Sequence, residues 1–281
     1  MQQQRMSGAM RMYEKISSIK KHLQQMKQNR ITKQNGQTFH FFSFSKKQKQ
    51  VLTWWCKESP VHDKDGIIAD GAIRSGKTVS MSLSFVMWAM SSFAGQNFAM
   101  CGKTIGSFRR NVLFWLKLML RSRGYSVTDH RADNLVVVRK NGIENYFYIF
   151  GGKDERSQDL IQGITLAGVF FDEVALMPES FVNQATGRCS VKDSKFWFSC
   201  NPDGPYHWFK VNWIDKSTGY LGKEQVKKVR QKAEAEGKDP GLKELLYLHF
   251  TMNDNLSLDE EVRARYRGMY IGVFFKRYIL G

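Results

Sequence analysis

Apolar and polar positions fall in blocks whose period changes along this chain. GIIAD (66–70) is a short apolar run, and a glycine-bounded loop separates it from KTVSMSLSFVMWAMSSF, which is apolar nearly all round. That order predicts a buried strand followed by a helix packed against a sheet. NFAMCG reads as the next strand. SFRRNVLFWLKLMLRSRG carries its basic residues on one side and stops at Gly124, as an amphipathic helix does. NLVVVRK and IENYFYIFGG flank Asn141-Gly142, the two-residue turn that suits strand twist, and predict a hairpin. LAGVFF and KFWFSC are two more buried strands, with a proline-initiated helix, PESFVNQATG, between them. No internal repeat is visible.

The ends read differently. The first 35 residues are rich in Gln, Lys and Met, have weak helical spacing at Met12, Ile16, Ile19, Leu23 and Met26, and finish at the turn signal Asn35-Gly36. They predict a basic helical arm, residues 1–38, outside the core. From Phe39 the composition turns aromatic and apolar, and a helix carrying KKQKQVLTWWCKES leads to Pro60. Residues 216–243 hold eight basic and four acidic side chains and few apolar ones, which predicts an exposed helical lid or insertion over 216–245.

With 281 residues, 42% of them hydrophobic, the chain can bury a full core. A net charge of +17 makes a polyanion an expected partner, and the basic residues cluster. Residues 1–45 carry eight Lys or Arg against Glu14 alone, and residues 102–123 carry six with no acid, a distribution that fits nucleic acid better than uniform solubilisation. Cys56, Cys101, Cys189 and Cys200 lack metal-ligand spacing and a disulfide framework, and read as reduced, mostly buried thiols of a cytosolic protein. No apolar run is long enough to span a membrane.

Gly71, Gly76, Lys77 and Thr78 satisfy G-x-x-x-x-G-K-[ST], with Ala72, Ile73, Arg74 and Ser75 between the glycines. In a strand-loop-helix setting the backbone N–H groups of such a loop surround the β-phosphate of ATP, the lysine reaches the β and γ oxygens, and the hydroxyl binds Mg²⁺. Asp172 and Glu173 follow an apolar strand, where the first acid can hold Mg²⁺ and the second can polarise the attacking water. Ser199 and Asn201 end the strand after that, the place of a γ-phosphate sensor. Arg74 either reaches the γ-phosphate in cis or pairs with a local acid such as Asp70 and shapes the loop; Arg109, Arg110 and Arg156 are alternative charge stabilisers. Gln48 or Gln50 could read an adenine edge, against the alternative of a solvated helix residue. Together these predict an α/β fold of the additional-strand P-loop NTPase class, a mainly parallel sheet with helices on both faces, plus the arm and the lid. The ATPase core spans 39–215, and 246–281 closes the domain.

Four stretches then become recognisable: DGAIRSGKTVSMSLSF, GGKDERSQDLIQGITLAGVFFDEVALMPESFVNQATGRCSV, CNPDGPYHWFK and YLHFTMNDNLSL. Together they resemble the large subunit of a tailed-phage terminase of the PBSX type, from about Phe39 to the last residue. The resemblance implies an ATPase motor, with ATP and Mg, that pumps double-stranded DNA into a prohead. It further implies a small subunit, a portal protein and a homo-oligomeric ring, expected to be a pentamer, acting in the host cytoplasm and transiently on the procapsid. It maps a deviant Walker A onto Arg74, Gly76, Lys77 and Thr78, a Walker B pair onto Asp172 and Glu173, and a coupling motif onto Ser199, Cys200 and Asn201. GMYIGVFFKRYILG resembles the linker toward the family's nuclease domain, so ATP hydrolysis without DNA cleavage is expected of this chain. A helicase-like translocase and a slow nucleotide-gated DNA-binding module are the rival readings.

Overall fold

The structure, a computed structural model, describes residues 42–201, 204–270 and 272–275, together with the backbone of residues 32–34 and 37–39. The chain divides into two compact units, Met1–Ser43 and Phe44–Gly281. In the first, strands β1 (Thr32–Gln34) and β2 (Gln37–Phe39) pair antiparallel, with Gln34 opposite Gln37. Two short paired strands thus flank the turn signal Asn35-Gly36 at the end of the predicted arm; its helical spacing at 12–26 lies outside the described residues.

The second unit is built on one eight-stranded sheet. Its strands are β3 (Gly66–Gly71), β4 (Asn97–Gly102), β5 (Ser126–His130), β6 (Leu135–Lys140), β7 (Ile143–Gly151), β8 (Gly168–Phe171), β9 (Lys195–Ser199) and β10 (Leu245–Phe250). Their spatial order is β10-β3-β9-β8-β4-β7-β6-β5. The first six run parallel to one another, and β6 and β5 add an antiparallel edge. The phosphate loop, the acidic pair and the polar strand end all leave parallel strands at their C-terminal ends, where open α/β sheets bind ligands.

Alternation along β8 and β9 sends side chains to both faces. Phe170 and Trp197 point one way, against Phe85 of the long helix after the loop, with ring centroids 6.1 and 5.3 Å away. Phe171 and Phe198 point the other way and stack at 5.2 Å. The first face is covered by α1 (Lys46–Thr53) and α2 (Lys77–Ser92). Phe181, Val182, Phe209 and Trp213 pack on the second. Each fully buried phenylalanine contributes roughly 1.5–3 kcal/mol by leaving water, so the aromatic layers on both faces fix the sheet that presents the loops.

Three elements differ from the pattern reading. The predicted amphipathic helix over 107–124 is α3 (Ile105–Phe108), a π-helical turn (Arg109–Leu113) and α4 (Phe114–Arg121). The π turn shifts the register of its side chains, and such turns concentrate at functional sites. Strand β5 escaped notice because Ser126, Asp129 and His130 hide its pattern; it is an edge strand with only Val127 buried. Beyond α5 (Glu179–Gly187), the proline-initiated helix that the pattern predicts, the basic segment after residue 215 contains α6 (Thr218–Ala235) and runs into β10, an edge strand of the sheet. A Cβ on Gly219 would come within 2.6 Å of the backbone of Leu245 and Tyr247, so α6 starts hard against β10. The chain ends its described part in α7 (Glu260–Met269) and a short turn, Gly272–Phe275.

Candidate functional site

The loop between β3 and α2 has the backbone its sequence demands. Gly71 has φ 125°, and a Cβ there would stand 2.0 Å from the Phe250 carbonyl oxygen of β10. Gly76 has φ 82°, and a Cβ there would stand 2.3 Å from Gln48 Nε2. Both positions need the left-handed conformation and the missing side chain. Arg74, at φ 57°, takes the same conformation without being glycine, a backbone cost of order 1 kcal/mol or more.

Lys77 starts α2 and folds back over the loop. Its ammonium donates to the carbonyls of Gly71 (2.9 Å) and Ala72 (2.6 Å), to Ser75 Oγ (3.2 Å) and to Asn201 Oδ1 (3.1 Å). Burial lowers its pKa to about 8, against the pull of neighbouring acids. The Thr78 hydroxyl donates to Asp172 Oδ1 at 2.8 Å, and the Ser199 hydroxyl donates to the same oxygen at 2.9 Å. Ser199 in turn accepts from the Glu173 N–H at 3.4 Å. Burial pushes the Asp172 carboxyl up to about 6, although the Thr78 and Ser199 hydrogen bonds favour its charged form. A carboxylate beside a threonine hydroxyl is a hard oxygen donor set, and a divalent ion such as Mg²⁺ fits it. Glu173 is exposed, sits at φ 59°, and faces the same cavity.

That cavity, about 1110 Å³, is lined by the loop from Ile73 to Val79 and by Glu173, Ser199 and Asn201 on the strand ends. Its far wall is the π turn and α4, with Arg109, Arg110 and Trp115, joined by Arg131 from the turn after β5. The structure thus brings together Lys77, Thr78, Asp172, Glu173, Ser199 and Asn201.

The arginines separate. Arg74 does not pair with Asp70. Strand alternation puts Asp70 on the Ile68 face, where its carboxylate accepts from the Tyr247 hydroxyl at 2.7 Å, while the Arg74 Nε donates to the Tyr266 hydroxyl of α7 at 3.2 Å. Arg109 is held by Asp129 at 2.8 Å. Arg110 lines the cavity, and Arg156 is exposed away from it.

Gln48 is not a solvated helix residue, being only 5% exposed. Its Oε1 accepts from the Ser45 N–H at 3.0 Å, closing a capping box at the start of α1. Its amide nitrogen lies against Gly76. Gln50 is exposed.

Two residues escaped sequence reasoning. Asn255 Nδ2 donates to the Arg74 carbonyl at 2.7 Å and lines the cavity, and Tyr266 holds the Arg74 side chain. Ala72 and Ile73 pack on Met252, Leu258, Tyr266 and Tyr270, so the segment after β10 straps the loop. In sequence this region stood out only through YLHFTMNDNLSL, which carries part of the family resemblance and contains Asn255.

A parallel sheet that offers a glycine-bounded loop, its lysine, and an acid shared by two hydroxyls defines a P-loop nucleotide-binding protein with additional strands. More narrowly, residues 68–278 match the family of T4likevirus-type terminase large subunits, N-terminal part, and the chain belongs to that family. Among solved structures it is similar to the large terminase of a thermophilic bacteriophage, with 63% identity and a TM-score of 0.73, covering 85% of this chain and 53% of that one. The same thermophilic-phage protein in complex with ATP-gamma-S matches with 60% identity and a TM-score of 0.71, over 84% of this chain and 52% of that one. The ATPase domain of the Thermus phage P74-26 large terminase, at 18% identity and TM-score 0.56 over 77% of this chain and 88% of that one, shares the fold. This chain spans about half the length of the thermophilic-phage protein. No curated protein matches it.

Proposed function

We propose that this chain hydrolyses ATP as the motor of a phage terminase that packages double-stranded viral DNA. The observation that carries this reading is the hydrogen-bonded set Thr78–Asp172–Ser199 beside the Lys77–Asn201 contact. It joins phosphate loop, acidic strand and neighbouring strand end at one cavity. The thermophilic-phage terminase is seen with ADP and with ATP-gamma-S, and family membership supports the packaging role.

In the proposed cycle the N–H groups from Ala72 to Thr78 surround the β-phosphate, and the Lys77 ammonium exchanges its loop carbonyls for phosphate oxygens. That exchange removes Lys77 from Asn201, so phosphate occupancy is reported to the end of β9. Mg²⁺, held by Thr78 and Asp172, would neutralise charge on the β and γ oxygens. Glu173 is exposed to the cavity and anchored through its N–H to Ser199, which suits a carboxylate that orients water in line with the γ-phosphorus. Arg74 stabilises the γ-phosphoryl charge once it leaves Tyr266. Gln48, fixed against Gly76, reads the adenine edge.

The finer reading is a PBSX-type subunit, supported by DGAIRSGKT and the long middle stretch. Its proposed partners are double-stranded DNA, a small subunit, a portal protein and further copies in a pentameric ring, in the host cytoplasm. Residues 1–38 serve as a basic arm and 216–245 as a lid on the core. Phosphate release by wild type and Glu173→Ala, each with and without linear duplex DNA, tests the core of this. Turnover that DNA stimulates and the substitution abolishes is expected; equal turnover by the two proteins would remove the assignment.

A further inference from the structure

A second cavity of about 370 Å³ opens behind the phosphate loop, on the opposite face of β3. At its base is the Asp70 carboxylate, only 6% exposed. Oδ2 accepts from the Tyr247 hydroxyl at 2.7 Å, and Oδ1 has, among the described residues, only the Cys200 thiol, a weak donor, at 3.8 Å. An ionised carboxylate offers about four acceptor positions, and leaving them unfilled away from water is costly. The nearby ammonium groups spend their hydrogen bonds elsewhere, although the Lys77 charge still acts on Asp70 through space. Lys77 is bound to loop carbonyls and Asn201, and Lys210 is bound to Asp215 and the Tyr220 hydroxyl. Above Asp70 the walls hold Phe209 and an edge-to-face pair, Tyr220 and Tyr247, at 5.0 Å, together with His207, Lys210 and His249, the last opposite Asp70 on β10.

We propose that this cavity binds a small aryl cation, an amidinium or guanidinium on a flat ring, with its charge on Asp70, and that occupancy acts on the phosphate site through Asn201. The volume is at the small end of ligand pockets, roughly 300–1,000 Å³. A planar fork of N–H donors matches a carboxylate edge in a way that a point charge does not. The aromatic walls take the ring by stacking and edge contacts. Cys200 and Asn201 line both cavities, so the partition between them is this stretch of backbone. Asn201 Oδ1 accepts from Lys77 Nζ at 3.1 Å on the other side. A guest that presses on Asn201 therefore alters what holds the phosphate-binding lysine. Only this coupling rests on the proposed ATPase reading; the binding site stands apart from it.

The test titrates the full chain with benzamidine and with benzamide, its neutral isostere, by calorimetry or protein-observed NMR. Benzamidine is expected to bind about tenfold to a hundredfold more tightly, the value of a hydrogen bond to a charged group. Saturating ADP should not displace it. Asp70→Asn should erase the preference, and Tyr220→Ala should weaken binding while ADP affinity stays unchanged. Equal affinity for the two compounds, displacement by ADP, or a preference that survives in Asp70→Asn would overturn the site. If Asp70→Asn does not fold, the wild-type comparison of cation and isostere decides by itself. In turnover assays benzamidine should lower kcat to a plateau that ATP does not relieve; unchanged turnover at saturation would overturn the coupling. Absence of any ATP turnover would sink the proposed function and leave the binding measurements to judge the site.

Discussion

Arg74 and Tyr266 meet across 192 positions of sequence: the guanidinium Nε donates to the phenol oxygen at 3.2 Å, and the guanidinium carbon lies 6.0 Å from the ring centroid. The one arginine inside the phosphate loop is thus held by the helix that follows the last strand. Its carbonyl is held too, by Asn255, so the loop is tied to the strap at two points.

If Arg74 stabilises developing charge, Arg74→Ala lowers kcat by about 10²–10³, the usual effect of deleting one such donor, with little change in ADP affinity. Tyr266→Phe removes only the hydrogen bond, worth about 1 kcal/mol, and frees the arginine. Its KM for ATP should fall severalfold at most. Steady-state kinetics on both variants checks this, and a loss of kcat in Tyr266→Phe equal to that of Arg74→Ala would assign the arginine to loop shape alone.

Thr78→Val leaves the volume of the side chain nearly unchanged and removes the hydroxyl shared with Asp172. ATP turnover should fall by at least about 10², and the protein should need more Mg²⁺ to bind nucleotide. Nucleotide binding titrated against Mg²⁺ shows it, and an unaltered Mg²⁺ requirement would exclude Thr78 from the cation site.

Gly71→Ala should not give a stable protein. The added methyl would stand 2.0 Å from a backbone oxygen of β10, and φ 125° strains any L side chain, so a loss of about 3 kcal/mol or more is expected. Thermal unfolding measures it. The same change at Gly204, also left-handed at φ 118° but with nothing within 4 Å among the described residues, should cost much less.

Gln48→Ala removes the capping-box acceptor, costing about 1 kcal/mol of stability, and the amide proposed to read adenine. Competition of GTP against ATP should rise toward equality in the variant. Unchanged discrimination would leave Gln48 as a cap alone.

Asp129 holds Arg109 at 2.8 Å and Lys117 at 2.7 Å, tying the π turn and α4 to β5. Burial raises its pKa, but the hydrogen bonds and charges of the two cations outweigh this and hold the carboxyl below its ordinary range. A depressed folded pKa contributes stability that is present above the unfolded value, about 3.9, and is lost as pH falls through the folded pKa. Asp129→Asn should therefore cost about 1–2 kcal/mol at neutral pH, after allowance for solvent screening, and progressively less in acid. Urea unfolding of both proteins at neutral and acid pH compares them; a difference that does not shrink in acid would reject the ion pairs as its source.

Local rules made much of this protein readable. Period and turn chemistry located the parallel strands other than β10 and the hairpin about Asn141-Gly142, because those signals depend only on neighbours in sequence. The spacing of Gly71, Gly76, Lys77 and Thr78, and an acid pair after an apolar strand, are equally local. They brought the phosphate loop and its acidic partner to light before any contact was known. Other features needed the tertiary structure. Lys77 touches Asn201, Thr78 touches Asp172 and Arg74 touches Tyr266 because parallel strands far apart in sequence end at one edge of the sheet. Gln48 is a cap against Gly76 rather than a solvated residue because α1 packs there, and Asp70 turns from Arg74 because strand alternation fixes its face. Sequence chose the chemical groups; long-range packing chose which of them meet.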